Sequence, residues 1–256
     1  MSPLASPIIE LRHVHFAYGS EMVLEDISFT VHPGEYVAVV GPNGGGKSTL
    51  AKLILGILSP LQGTVLVGGT DPRQHVFPIG YVPQHATYQT HFPITVLETV
   101  LMGLPRGRRR TPGYRKEERE RALATLEQVG LQDCASARLD SLSGGQKQRA
   151  MVARALMSDP PLLLFDEPTA NVDPHGKFCL FDIFASLTPQ RTVVIISHDL
   201  IATGSAATSV AVVNRRLIQR SHMDDAMLAL MYGQHGTSCP LFRSLHNLHT
   251  FTTPRS

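Results

Sequence analysis

The most constraining feature of this 256-residue chain is the stretch Gly41-Pro42-Asn43-Gly44-Gly45-Gly46-Lys47-Ser48-Thr49. It fits the pattern Gly, four residues, Gly-Lys-Ser/Thr of a phosphate-binding loop. Before it, Tyr36-Val37-Ala38-Val39-Val40 reads as a short buried strand. After it, Leu50, Leu53, Ile54, Ile57 and Leu58 recur at helical spacing. The motif requires that strand–loop–helix setting. Glycines let the backbone wrap a phosphate without Cβ clashes. Exposed N–H groups and the positive end of the helix dipole then attract the anion. Lys47 can reach the β- and γ-phosphates, and the Ser48 hydroxyl can ligate Mg²⁺. The bland alternative, a glycine-rich turn that happens to contain Lys-Ser, does not account for the flanks.

Composition narrows the class. A hydrophobic share of 43% with 17% charged residues describes a folded globular chain, long enough for one large domain or two intimate subdomains. A formal net charge of +2 gives no argument for nucleic acid by itself. No apolar run approaches the ~18 residues of a membrane span. The start, Met1 to Pro7, lacks the basic and apolar regions of a signal peptide. Three widely spaced cysteines, Cys134, Cys179 and Cys239, suit a reducing compartment and no disulfide framework.

Periodicity gives the fold class. Ile8 to Leu11 and Val23 to Val31 read as β structure, with turn signals at Tyr18-Gly19-Ser20 and His32-Pro33-Gly34. Gly63 to Gly69 and Ile79 to Gln84 read as further strands. From about Thr95 to Ser158 the pattern turns helical, with segments around Val96 to Leu101, Lys116 to Val129 and Gly144 to Leu156. Buried strands and helices then alternate: Leu162 to Phe165, His175 to Leu187, Val193 to Ile196, Val210 to Val213, Leu217-Ile218, and a helix over Asp224 to Met231. This order predicts an α/β fold with a mostly parallel sheet around the phosphate loop, an N-terminal antiparallel β subdomain and an inserted helical subdomain. Residues 233–256 show no periodicity and are expected to be a flexible tail.

Two more motifs carry chemistry. Leu162-Leu163-Leu164-Phe165-Asp166-Glu167-Pro168 is an apolar strand that delivers two carboxylates to the sheet's C-terminal edge, where open α/β sheets bind ligands. Asp166 would hold Mg²⁺ and Glu167 would polarise the attacking water. Read alone, Asp-Glu-Pro is equally a solvated turn; the phosphate loop favours the catalytic reading. Leu142-Ser143-Gly144-Gly145-Gln146 opens a helix and makes both a helix cap and a second anion site.

At these residues the chain resembles the ATP-binding-cassette ATPases, whose signature is Leu-Ser-Gly-Gly-Gln. Gln148-Arg149 and Ala153-Arg154-Ala155-Leu156 continue that pattern, and the resemblance covers about residues 8–232. It implies an ATPase domain over that span, with its helical subdomain at about 95–158. It assigns Tyr18 to adenine stacking, Gln84 to a loop that senses the γ-phosphate and holds Mg²⁺, Asp173 to a dimer-contact loop and His198 to a switch histidine. Taken singly, Tyr18 is a turn aromatic, Gln84 a loop residue and His198 a strand-end residue; order and spacing raise them. ATP and Mg²⁺ are the implied cofactors. The implied assembly is a head-to-tail dimer, in which Lys47 of one copy and Ser143 to Gln146 of the other enclose each ATP.

With no span of its own, a transport role requires separate membrane permease subunits, an extracytoplasmic substrate-binding protein, and a peripheral place on the cytoplasmic face of the cell membrane. The run His91 to Gly103 and the loop Asn171-Val172-Asp173 are similar to cassettes of zinc and manganese uptake systems. A divalent-metal importer (zinc, manganese or iron) is therefore expected. The alternatives are an iron-siderophore or cobalamin importer, and a non-transport cassette ATPase acting on nucleic acid or ribosomes. The basic run Arg106, Arg108, Arg109, Arg110, Arg115, Lys116 is interleaved with Glu117, Glu118 and Glu120 and has Tyr114 as its sole aromatic, so it reads as a solvated face and not a direct nucleic-acid contact. His235, Cys239, His246 and His249 in the tail match no metal-finger spacing and read as an ordinary polar segment.

Overall fold

The computed structural model describes residues 6–84, 93–105, 113–170, 172–198 and 207–232. Strands β1 (Ile9–Tyr18) and β2 (Glu21–Val31) form an antiparallel hairpin through Gly19, whose φ of +58° suits glycine. β4 (Gln62–Val67) pairs antiparallel on the other side of β1, giving a three-stranded sheet of order β2-β1-β4. Its apolar face, with Ile9, Leu11, Ile27 and Phe29, packs over Leu50, Leu53 and Ile54 of helix α1 (Lys47–Ile54).

The second sheet has the order β5-β6-β7-β3-β8-β9. β3 (Tyr36–Val40), β5 (Ile79–Val82), β6 (Leu162–Asp166), β7 (Thr192–Ser197) and β8 (Ser209–Asn214) run parallel, and β9 (Arg216–Arg220) is antiparallel at one edge. Every residue of β3, β6 and β7 is buried. Helices or the small sheet cover both faces, which explains why these strands are continuous apolar runs. Alternate residues serve different layers. Tyr36, Leu163, Phe165, Val193 and Ile195 face the helical side, while Val37, Val39, Leu164, Val194 and Ile196 face α1 and the small sheet.

The helical region comprises α2 (Val96–Leu101), α3 (Lys116–Gln128) and α4 (Gly144–Leu156). Thr95 and Glu98 cap α2 reciprocally, and Ser143 and Gln146 do the same for α4. Arg149 donates to the carbonyls of Val129 and Gly130, both at 3.1 Å, and so ties α4 to the end of α3. α5 (Pro174–Ser186) and α6 (Asp225–Tyr232) complete the fold.

The structure shortens one expected element. Apolar spacing carried the first helix to Leu58, but α1 ends at Ile54 and Ile57 is exposed. Gly56 reverses the chain at φ +70°, and a Cβ there would stand 2.6 Å from the Pro72 carbonyl carbon. Among the described residues no helix is long and apolar enough to cross a membrane. His91 and Phe92, Asn171, Arg106 to Arg110 and the histidines and cysteine of the tail lie outside the described residues.

Candidate functional site

Register places the site. Val40 of β3 pairs with Ser197 of β7, and Asp166 of β6 pairs with Ile196 of β7. The residues that follow, Gly41, Glu167 and His198, therefore leave the sheet along one edge.

The glycines of the loop act for different reasons. Gly41 has ordinary backbone angles, but a Cβ there would meet the Val213 carbonyl oxygen at 2.0 Å. Gly44 has open space around it and a φ of +77°. Gly46 combines both constraints: φ is +103°, and a Cβ would stand 2.5 Å from Leu24 Cδ2. It caps α1 with no side-chain partner, so the first N–H groups of the helix face the loop. Pro42 accepts from the Gly45 N–H at 3.1 Å, which closes the loop on itself.

Lys47 is buried and its Nζ donates to the carbonyls of Gly41 at 2.9 Å and Pro42 at 3.0 Å. The same Nζ lies 4.0 Å from Glu167 Oε1. Burial pulls the ammonium pKa below its ordinary value, against the attraction of Glu167 and Asp166. Burial also pushes the Asp166 carboxyl up, helped by repulsion from Glu167 and opposed by a hydrogen bond with Ser48 and by Lys47.

Asp166 Oδ1 is buried with no hydrogen-bond partner among the described residues. Such an orphan acceptor costs about 1–3 kcal/mol. A hard cation with oxygen ligands would satisfy it. The Ser48 hydroxyl beside it adds a second oxygen, so the donor set fits Mg²⁺.

Glu167 is buried and holds a φ of +49°, unusual for a non-glycine residue. Its N–H donates to the Ile196 carbonyl at 2.8 Å. Its Oε2 lies 2.7 Å from His198 Nδ1. An ionised carboxylate only accepts, so Nδ1 is the donor and Nε2 is left for another partner. The imidazole is 58% exposed beside an almost fully buried carboxylate.

A cleft of about 370 Å³ is lined by Tyr18, Asn43, Gly44, Gly46 to Thr49, Gln84 and Glu167, together with Glu21 and Val23. Tyr18 stands at the end of β1, half exposed and edge-on to Phe16 with ring centroids 4.9 Å apart. Gln84 follows β5 and is exposed. Glu21 and Val23 are additions that motif reading missed. The signal available was the turn at Gly19, which folds β2 back beside Tyr18.

Gly41, Pro42, Gly45, Asp166, His198 and two further predicted segments are not among the residues that line this cleft. Ser143 to Gln146 lies in the helical region. There the Ser143 hydroxyl accepts from the Gln146 N–H at 3.3 Å, and Gln146 Oε1 accepts from the Ser143 N–H at 2.9 Å. Asp173 is exposed and caps α5 by accepting from the Gly176 N–H at 3.0 Å, which holds its carboxyl below the usual range. The two segments are near each other, since a Cβ on Gly145 would touch Val172 Cγ1 at 3.4 Å.

The family model described as "ABC transporter" matches residues 24–170. A "probable metal transport system ATP-binding protein" of Chlamydia muridarum is 39% identical over 213 residues, covering 81% of this chain and 88% of that protein. The zinc uptake system ATP-binding protein ZurA of Listeria innocua is 37% identical over 217 residues, covering 82% of this chain and 84% of that protein. Among solved structures, the dimeric structure of a bacterial ABC transporter cassette matches at 28% identity and a TM-score of 0.66, over 83% of this chain and 97% of that one. The chain therefore belongs to the ABC transporter family, as one of its ATP-hydrolysing ATP-binding proteins.

Proposed function

We propose that this chain binds and hydrolyses ATP to drive import of a divalent metal cation through separate membrane subunits. The observation that carries the ATPase reading is the buried Asp166 Oδ1, without a partner among the described residues, set beside Ser48, Lys47 and Glu167 at one sheet edge. The metal cargo rests on relatives named for metal transport and zinc uptake.

Each residue has a role in this reading. Tyr18 stacks on the adenine. Gly41 to Gly46 wrap the phosphates, with N–H groups of the loop as donors. The Lys47 ammonium exchanges the Gly41 and Pro42 carbonyls for phosphate oxygens. Ser48, Asp166 and Gln84 would hold Mg²⁺, which neutralises charge on the β- and γ-phosphates. Glu167 orients a water in line with the γ-phosphate and takes its proton. His198 fixes the Glu167 carboxylate through Nδ1 and contacts the γ-phosphate.

Ser143 to Gln146 is an anion site outside the Lys47 cleft. In a symmetric pair, the segment of one copy would cover the nucleotide of the other, and Asp173 would sit at the contact. The relative solved as a dimer supports this arrangement. The chain would work at the cytoplasmic face of the cell membrane, with permease subunits and an extracytoplasmic binding protein.

Uptake of radioactive zinc, manganese and iron by cells with and without the gene tests the cargo. Loss of uptake of one of them, restored by the parent chain and not by Glu167→Gln, is the expected result. Unchanged uptake of all three metals in the deletion strain would refute the importer reading.

A further inference from the structure

The phosphate loop is braced from behind. β8 runs beside β3, and the Val213 carbonyl closes against Gly41 and Gly45, where added Cβ atoms would approach it to 2.0 and 2.8 Å. Two residues on, Arg215 alone makes the turn into β9, because Asn214 and Arg216 are already paired with each other. Its φ is +59°, the left-handed region that residues with a Cβ rarely adopt. Both of its peptide groups are engaged. The Arg215 N–H donates to the Gly45 carbonyl at 3.1 Å, and the Arg215 carbonyl accepts from the Glu25 N–H of β2 at 2.7 Å.

The hairpin carrying this turn is anchored on both sides. The Gln219 amide donates to the Thr30 carbonyl at 2.8 Å and accepts from the Thr30 N–H at 3.3 Å. Asn214 Nδ2 donates to the Leu230 carbonyl of α6 at 2.8 Å. The Arg215 residue is exposed, and it is the neighbouring Arg216 that pairs with Glu25 at 3.5 Å.

We infer that Arg215 is a positioning residue for the phosphate loop, acting through its backbone as a strut between Glu25 and Gly45. The reason lies in peptide planarity. In a trans peptide the carbonyl of Gly45 and the N–H of Gly46 point in opposite directions. Holding the Gly45 carbonyl toward Arg215 therefore aims the Gly46 N–H away from β8, and Gly46 lines the cleft. The strained φ persists because both flanking peptides are held. The inference rests on the reading that this loop binds a triphosphate.

Two variants test it. Arg215→Gly removes the guanidinium, keeps both peptide groups and relieves the strained φ. Its KM for ATP should stay within about twofold of the parent, with a raised melting temperature. An ester at the same position, made with glycolic acid in the glycine background, replaces that N–H with an oxygen and weakens the Asn214 carbonyl as an acceptor, leaving the side chains unchanged. There KM for ATP should rise about fivefold, while kcat at saturating ATP stays within about twofold. A turn with a purely structural role would lower the melting temperature and leave KM unchanged, and that result overturns the inference. A raised KM in Arg215→Gly also overturns it, because the side chain would then be the active part. A parent chain that binds no ATP removes the underlying site reading, and this is seen before any variant is measured.

Discussion

Glu167→Gln separates chemistry from binding with little change of shape. The carboxylate is 5% exposed, with one oxygen 2.7 Å from His198 Nδ1 and the other 4.0 Å from Lys47 Nζ. Glutamine keeps the volume and one acceptor oxygen for His198, and loses one negative charge. At 4 Å a pair of unit charges is worth about 4 kcal/mol at an effective dielectric constant of 20. The Lys47–Glu167 attraction is present with and without nucleotide, so its loss largely cancels in the binding step. A bound γ-phosphate loses a repulsion of similar order, which strengthens binding. ATP affinity should therefore hold or rise. The chemical step moves the other way. The amide cannot take a proton from water, and a positioned general base contributes about 10²–10⁴-fold. Hydrolysis should fall by that factor. Phosphate release at saturating ATP gives the rate, and calorimetric titration gives the affinity. Turnover within tenfold of the parent, at unchanged affinity, would refute the assignment of Glu167.

Asp166→Asn should stabilise the fold and abolish hydrolysis. The Asp166 pKa is raised by burial and by Glu167, so its contribution to stability is complete below the ordinary 3.8 and is lost as pH rises through the folded value. At pH 7 that contribution has been wholly or partly lost, which a neutral amide avoids. The variant should melt higher at pH 7, by about 2–4 °C for each kcal/mol recovered, and the gain should vanish toward pH 3.8 in a melting series. The glycines should separate by mechanism in urea titrations. Gly44→Ala has open space and loses roughly 1–2 kcal/mol to its left-handed φ, whereas Gly41→Ala drives a methyl into the Val213 carbonyl and should lose more. Ser143→Ala removes one half of a helix cap, about 1 kcal/mol, and should leave the ATP affinity of a single chain within about twofold while turnover of the assembled pair falls. An equal loss of affinity in the single chain would place that segment in its own cleft.

Sequence reading singled out Lys47, Asp166 and Glu167 because the central strands beside them are covered on both faces. Tyr36 to Val40 and Leu162 to Phe165 are unbroken apolar runs, and the polar residues that follow them stand out. Strand pairing was not legible in the same way. β3 lies between β7 and β8, partners more than 150 residues distant, so no local pattern marks that contact. Ile57 and Leu58 continued the helical spacing past the true end of α1, because periodicity does not register the left-handed turn at Gly56. Glu21 and Val23 belong to no motif and reach the cleft only because the hairpin folds back beside Tyr18. Arg215 was invisible for a further reason: what matters there is a backbone angle, and arginine does not announce a positive φ.

Glu167 and Arg215 share one physical device. Each is a non-glycine residue at positive φ, and each has its peptide groups held by flanking elements. Glu167 is held by Ile196 through its N–H and by Ala170 through its carbonyl, and Arg215 is held by Gly45 and Glu25. Glycine would relax both angles, but at Glu167 it would delete the carboxylate that meets His198. On the proposed role of Glu167, the strain there is the condition for a reactive side chain at the point where the chain leaves the sheet. At Arg215 glycine would delete nothing the site uses. The same backbone geometry therefore demands its side chain at the carboxylate and is indifferent to it at the strut, so Glu167→Gly should abolish turnover where Arg215→Gly keeps it.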